Sequence, residues 1–304
     1  MTQKSLNFGL IGAGGYIAPR HMKAIKETGN NLVAALDRYD GVGIMDSFFP
    51  AAEFFTEPEQ FDQYMDFLYR RGKETQIDYL SICTPNYLHA AHMRMALRNH
   101  AHAICEKPLV LTPDEIEDLK NLEKETGKKI FTILQLRLHP SIMALKKEID
   151  QAADKIYDIN LQYITSRGKW YHASWKSDKN KSGGVATNIG IHFFDMLTWI
   201  FGDVKENNLK EHTHDYACGK LKLQKANVNW ELSVNEKYLP IQAVSTGKRT
   251  YRSITVNGKE IEFSEGFTDL HTRSYEHILS GKGFGLEDAR KSIEIVADIR
   301  NQAQ

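Results

Sequence analysis

An apolar run, Leu6 to Ile11, ends in the small-residue turn Gly12-Ala13-Gly14-Gly15, and Pro19 follows where the first turn of a helix would lie. This strand–turn–helix start constrains the fold more than any other feature of the chain. A parallel strand needs a long crossover and cover on both faces, so further strands should be short apolar runs alternating with helices. Leu32–Leu36, Glu53–Phe55, Tyr79–Cys83, Ala101–Cys105 and Ile130–Leu134 fit that expectation. Phe61, Tyr64, Phe67 and Leu68 form a helical face, and Thr112-Pro113-Asp114-Glu115 reads as a capping box. Gly29 and Gly127 suit helix stops. The alternation predicts an α/β fold whose first domain, residues 1–134, is a mostly parallel, Rossmann-type sheet.

From residue 135 the pattern changes. Ile156–Thr165, Tyr216–Leu223, Val228–Val234 and Arg252–Phe263 favour strands without regular helices between them, and Asn257-Gly258 signals a tight hairpin. Helices are expected over Ile191–Phe201, Thr268–Leu279 and Glu287–Arg300. Residues 135–304 therefore read as an α+β domain with an open, largely antiparallel sheet, expected to bind substrate and to oligomerise.

Lysine plus arginine and aspartate plus glutamate both number 39, so no net field draws the chain to nucleic acid or an anionic membrane. No apolar run approaches the roughly 20 residues that span a bilayer. The segment Met1 to Asn7 is polar, so no signal peptide is visible. The three cysteines are scattered, and Cys83 and Cys105 sit in apolar strands. No disulfide framework follows, and a cytoplasmic setting is expected.

The N-terminal turn admits two registers. Gly12 and Gly14 give G-x-G with Ile17 at the third glycine position; Ala13, Gly15 and Ala18 give the same spacing one residue on. Either brings backbone and a helix N-terminus close to a pyrophosphate, but an ordinary βα turn looks alike. Asp37 lies about 20 residues downstream, at the end of the second strand, where it can accept from ribose hydroxyls and oppose a 2′-phosphate. A solvated loop aspartate is the bland alternative, and Arg38 beside it could pair with a phosphate. Thr84-Pro85-Asn86 ends the fourth strand. Asn86 could lie near the nicotinamide ribose, cap the next helix, or do both. At the fifth strand's end, Glu106-Lys107-Pro108 opens onto the crevice where ligands bind in such sheets.

Taken together, the glycine turn, Asp37, Thr84-Pro85-Asn86, Glu106-Lys107-Pro108 and Gly183-Gly184 through His192 resemble the Gfo/Idh/MocA oxidoreductase family. The segments Gly14 to His21, Leu134 to Pro140, Ser182 to Asp195 and Gly281 to Arg290 are closest to its WlbA/WbpB group, the UDP-N-acetylglucosaminuronate 3-dehydrogenases. The resemblance implies NAD as cofactor, held by Gly12, Gly14, Gly15, Tyr16, Ile17, Asp37, Arg38, Thr84, Asn86, His89, Glu106, Lys107 and Gln135. It implies oxidation of the C3 hydroxyl of UDP-N-acetylglucosaminuronic acid in bacterial surface-polysaccharide and lipopolysaccharide sugar biosynthesis. It also implies reoxidation by 2-oxoglutarate in some members, and a homotetramer associated through the open sheet. Many members carry aspartate where this chain has Asn188, and an amide cannot serve as a base.

Oxidising a secondary alcohol requires a base for the hydroxyl proton. Imidazole, with an unperturbed pKa near 6.5, suits this role better than an amine near 10.4. His192 is therefore the expected base, and Lys107 the donor to the developing alkoxide. Glu106 either orients Lys107 or forms a structural ion pair. Substrate contacts are expected from Lys107, Arg137, His139, Arg167, Tyr171, Trp175, Lys176, Asn188 and His192, with His271, Arg273 and Tyr275 as weaker candidates. Trp170, Tyr171 and Trp175 could equally pack an interface. The pairs His89/His92, His100/His102 and His212/His214 lack a matching ligand set, so no metal is expected. Two alternatives remain: a dehydrogenase of a free sugar or inositol, and a noncatalytic dinucleotide-sensing regulator on the same fold. A pure sensor has no need of both Lys107 and His192.

Overall fold

The computed structural model describes residues 5–152, 155–261 and 269–303. The expected strand residues Glu262 and Phe263, and Thr268 at the expected helix start, lie outside them. The chain divides into two compact units.

The first unit comprises residues 1–110, 114–133 and 268–289. Its elements are β1 (Asn7–Ile11), α1 (Ala18–Glu27), β2 (Asn31–Leu36), α2 (Val42–Phe48), β3 (Glu53–Phe55), α3 (Pro58–Arg70), β4 (Tyr79–Ile82), α4 (His89–Arg98), β5 (His102–Cys105), α5 (Asp114–Thr126) and β6 (Ile130–Thr132). The six strands run parallel in the order β3-β2-β1-β4-β5-β6. That order reverses between β1 and β4, and in open sheets of this kind ligands bind beyond the strand C-termini at the reversal. The glycine turn and Thr84 follow the two strands that flank it, and Glu106 follows β5.

The second unit comprises residues 111–113, 134–267 and 290–304. It contains α6 (Pro140–Gln151), β7 (Tyr157–Thr165), α7 (Lys169–Ala173), α8 (Lys179–Ser182), α9 (Ile191–Phe201), β8 (Val204–His212), β9 (Tyr216–Leu223), β10 (Ala226–Ser233), α10 (Ile241–Ser245), β11 (Thr250–Val256) and β12 (Lys259–Glu260). The sheet order is β12-β11-β7-β10-β9-β8, antiparallel except for the β7–β10 pair. Asn257 and Gly258 take positive φ in the β11–β12 hairpin, as their turn requires. Ile159, Leu161, Val228 and Trp230 point inward, while Asp158, Asn160, Asn227, Asn229, Lys220 and Lys222 point outward. The outward face is thus polar.

The chain closes with α11 (Leu270–Leu279) and α12 (Leu286–Gln302). Residues 268–289 group with the first unit, so a single cut after residue 134 does not describe the division. Tyr275 and Ile278 of α11 complete the core around Phe8, Leu10, Met22 and Ile25. The stretch also extends the sheet edge, where Thr132 N donates to Phe284 O at 2.9 Å.

Candidate active site

The turn after β1 is tight because Gly12 permits it. Its φ is +89°, and a Cβ there would lie 2.8 Å from the Cys83 carbonyl carbon and 2.9 Å from Thr84 N. No other residue lets the turns after β1 and β4 approach so closely. Gly14 N donates to Asp37 Oδ2 at 2.9 Å, and Tyr39 N to Asp37 Oδ1 at 3.0 Å. Asp37 is therefore oriented by backbone rather than left loose at a strand end. Arg38 stacks over the Tyr39 ring at 5.6 Å. Tyr16 is 84% exposed, and α1 opens without a side-chain cap, its first N–H groups at Ala18 and Arg20 donating to Gly15 O and Ile17 O. A cradle that a Cβ would fill, beside a helix N-terminus and a fixed acceptor, suits a dinucleotide.

Thr84 and Pro108 are joined by one side chain. His89, buried at the start of α4, has Nε2 2.9 Å from Thr84 O and Nδ1 2.7 Å from Pro108 O. Both oxygens can only accept, so the ring donates to both only as an imidazolium. Burial lowers its pKa against the opposing effect of those carbonyls, and the neutral ring donates to one of them. His92 Nδ1 lies 3.0 Å from Thr84 Oγ1, and burial, with His89 nearby, lowers its pKa to about 4. These two histidines support the turns rather than the surface. Asn86 is buried and opens the short helical turn before α4.

Glu106 is buried, and its carboxylate turns into the unit. Oε1 accepts from His21 Nε2 at 3.0 Å and His271 Nε2 at 2.9 Å. Oε2 accepts from the backbone N of Lys107 at 3.2 Å. Burial alone would raise the Glu106 pKa, but the donors from His21 and His271 prevail and hold it well below the usual carboxylate range. Among the described residues, His21, Glu106 and His271 form a set whose potential ligand atoms lie within 4.8 Å of one another, unlike the histidine pairs considered from sequence. His271 and Tyr275 belong to this buried cluster, which corrects their expected place beside a substrate. The cysteines Cys83 and Cys105 are buried free thiols, pushed well up in pKa by burial.

In the second unit, His192 occupies the first turn of α9, directly after a π-helical turn at Ala186–Gly190. Such turns recur at functional sites because they re-aim the side chains around them. Asn188, within that turn, donates Nδ2 to the hydroxyl of buried Tyr171 at 3.1 Å. Lys176 lies 4.3 Å over the Trp175 ring, and its pKa is lowered by burial and then by the Arg167 guanidinium. A half-buried lysine beside an exposed guanidinium is poised for an anion.

Two expected substrate residues have other work. Arg137 is buried, with Nε 3.1 Å and Nη2 2.7 Å from the two oxygens of Asp195, so its fork is committed to a bidentate ion pair. His139 is buried and accepts from Ser141 N at 3.3 Å, capping α6. Gln135 keeps a buried side-chain oxygen with no hydrogen-bond partner, a strong acceptor of the kind that a ligand amide or hydroxyl would satisfy.

Residues 6–134 match the model of the oxidoreductase family, NAD-binding Rossmann fold, and residues 146–239 match that family's C-terminal alpha/beta domain. The WlbA (WbpB) dehydrogenase from Thermus thermophilus, solved with NAD and α-ketoglutarate, is 54% identical with a TM-score of 0.94, covering 97% of this chain and 94% of that one. The same enzyme solved with NAD and UDP-GlcNAcA gives 53% identity and a TM-score of 0.93 over 97% and 94% of the two chains. Inositol 2-dehydrogenase from Rhizobium meliloti is 29% identical over 204 residues, 66% of this chain and 56% of its own length. The chain thus spans little more than half of that curated relative. Sheet order, glycine turn and family models agree, and the chain is an NAD-dependent dehydrogenase belonging to the Gfo/Idh/MocA oxidoreductase family.

Proposed function

We propose that this chain oxidises the C3 hydroxyl of UDP-N-acetylglucosaminuronic acid to the 3-keto sugar, as a cytoplasmic step in bacterial lipopolysaccharide sugar biosynthesis. The observation that carries the reading is the likeness, over 97% of the chain, to a WlbA dehydrogenase solved with NAD and UDP-GlcNAcA. The residues support it independently. A diphosphate and a carboxylate need cationic donors, and Arg167 with Lys176 supplies an adjacent pair. Trp175, half-buried in the same stretch, offers a ring to the sugar nucleotide, whereas Tyr171 is buried behind Asn188.

The roles divide by chemistry. When bound, NAD accepts the hydride. His192 takes the hydroxyl proton, and Lys107 donates a hydrogen bond to the oxygen as its charge develops. Asn188 holds Tyr171 in place and is not a base. Asp37 accepts from the ribose, and the turns at Gly12, Gly14, Gly15 and Thr84 bring backbone close to the dinucleotide. The first unit is the dinucleotide-binding domain and the second the substrate domain. α-Ketoglutarate, present in the Thermus thermophilus enzyme's structure, is the proposed reoxidant. The protein is a homotetramer associated through its polar sheet face.

The likeness to inositol 2-dehydrogenase favours a free polyol as the second reading. The test is incubation of the enzyme and NAD, with and without α-ketoglutarate, with UDP-N-acetylglucosaminuronic acid, UDP-N-acetylglucosamine or inositol. NMR should identify a 3-keto product from the sugar acid. Turnover of inositol alone, or equal turnover of the acid and the neutral sugar, removes the carboxylate argument.

A further inference from the structure

Glu106 ends a buried chain of hydrogen bonds assembled from α1, β4 and α11. Ser81 Oγ lies 2.6 Å from Tyr275 Oη, which lies 2.8 Å from His21 Nδ1. His21 Nε2 and His271 Nε2 both face Glu106 Oε1, at 3.0 and 2.9 Å. His21, Ser81 and Tyr275 are fully buried, and His271 is 3% exposed.

Proton counting fixes the direction of every bond. The Glu106 carboxylate is ionised and can only accept, so both imidazoles carry their proton on Nε2. A neutral His21 then offers a lone pair at Nδ1, and Tyr275 must donate to it. The single Tyr275 proton is thereby used, so Ser81 must donate to Tyr275. His271 Nδ1 has no partner, as a lone pair tolerates better than an N–H. The chain therefore runs Ser81 to Tyr275 to His21 to Glu106, with His271 donating from the other side.

What this chain holds is the backbone of Lys107. The β5 ladder to β4 closes with Glu106 N donating to Ile82 O at 3.0 Å. At the next residue the N–H is taken by Glu106 Oε2 instead, at 3.2 Å. A carboxylate gripped on one oxygen by two imidazoles cannot rotate, so its other oxygen is a fixed anchor for the peptide that carries the lysine.

We infer that His21, His271 and Tyr275 are positioning residues for the dehydrogenase reaction, acting through Glu106 on the placement of Lys107. The inference rests on the proposed catalytic role of Lys107. Displacement of a reacting group by about 1 Å can cost roughly a hundredfold in rate. His271→Met removes one donor, and kcat should fall ten- to a hundredfold while KM and NAD affinity stay within about threefold. His271→Gln restores a donor and should recover most of the loss. Tyr275→Phe keeps the ring stacked near Phe8, 5.8 Å between centroids, and should reduce kcat without a large fall in thermal midpoint.

Lys107→Ala is the benchmark. If it turns over normally, the reading of Lys107 is wrong; if it is inactive while folded His271→Met and Tyr275→Phe match wild type, the positioning role is wrong. Long-range 1H–15N NMR of the ring nitrogens is independent of any substrate. It should show His21 as a neutral ring at pH 7.5, and the proton facing Glu106 on Nε2 of both His21 and His271. The opposite tautomer at either ring overturns the directed chain. So does stoichiometric zinc or iron that co-purifies with wild type and is lost from Glu106→Gln.

Discussion

Gly12→Ala and Gly14→Ala should separate the two tasks of the glycine turn. At Gly12 an alanine meets backbone: its Cβ would stand 2.8 Å from Cys83 C and 2.9 Å from Cys83 O and Thr84 N. Those atoms end a buried central strand and cannot swing aside. The φ of +89° adds the left-handed cost, about 1–2 kcal/mol for an L-residue. Overpacking adds about 1–3 kcal/mol. The sum, about 2–5 kcal/mol, is a large part of the roughly 5–15 kcal/mol that holds a domain folded. At Gly14 the alanine meets a side chain, Asp37 Oδ2 at 3.3 Å, and the position is exposed. Asp37 can give by a few tenths of an ångström, so the fold should survive while the ribose acceptor shifts. With an m-value of about 3 kcal/mol/M, Gly12→Ala should lower the urea midpoint by roughly 1 M. Gly14→Ala should leave it nearly unchanged. In an NAD titration, Gly14→Ala should lose up to the worth of a charged hydrogen bond, about 1.5–3 kcal/mol, or roughly ten- to a hundredfold in affinity. A Gly12→Ala protein that unfolds at the wild-type midpoint would refute the close-approach argument.

Lys107→Ala and His192→Asn should each fold and bind NAD, yet turn over roughly 10²–10³-fold more slowly in a single-turnover assay; normal rates in both would end the proposed chemistry. His92 has a folded pKa of about 4, below the unfolded value of about 6.5. Its stabilising contribution is therefore complete above pH 6.5 and is lost as pH falls towards 4. Urea melts at pH 7.5 and 4.5 should show wild type losing about 2–3 kcal/mol more than His92→Asn, and parallel losses would contradict this. Breaking the Arg137–Asp195 pair from one side should cost about 3–5 kcal/mol, whereas Arg137→Met with Asp195→Leu should recover much of it; single losses that simply add in a double-mutant cycle would count against a buried pair. Light scattering at micromolar concentration should give the mass of four chains, and a monomer would remove the proposed tetramer.

The parallel sheet was legible because each of its strands is an apolar run closed by a breaker, and β3 and β9 have the bounds read from sequence. β8 was not. Its residues, Val204–His212, lie on the sheet edge and are mostly exposed, so no alternation marks them. Helix α9 was visible from its largely apolar composition and α4 from the cap expected at Asn86, whereas α6 carries a mixed face and went unread. In the site, Gly12, Asp37, Glu106, Lys107 and His192 are local signals, each at a strand or helix end. Arg137 looked like a substrate reader because its partner, Asp195, stands 58 positions away. The network behind Glu106 needs contacts over 165 and 254 positions, which no local pattern encodes. One clue was available: His21 lies on the face of α1 that also carries Ala18, Met22 and Ile25, so an imidazole there had to be buried and partnered.

The return of the chain through α11 also sets an order of events during synthesis. Phe8, Met22 and Ile25 emerge early, but Tyr275 and Ile278, which complete their core, emerge much later. At roughly 5–20 residues per second, the interval between Ile25 and Tyr275 lasts on the order of 12–50 s. Through that time the nascent sheet has an uncovered apolar flank, and Glu106 lacks its α11 donor, His271. The dinucleotide fold is finished only once α11 has emerged, and a ribosome stalled before it would leave a chain with glycine turn and lysine in place but no sealed interior behind them. Helpers that shield exposed apolar surface on translating ribosomes should therefore be bound to this chain until α11 has emerged.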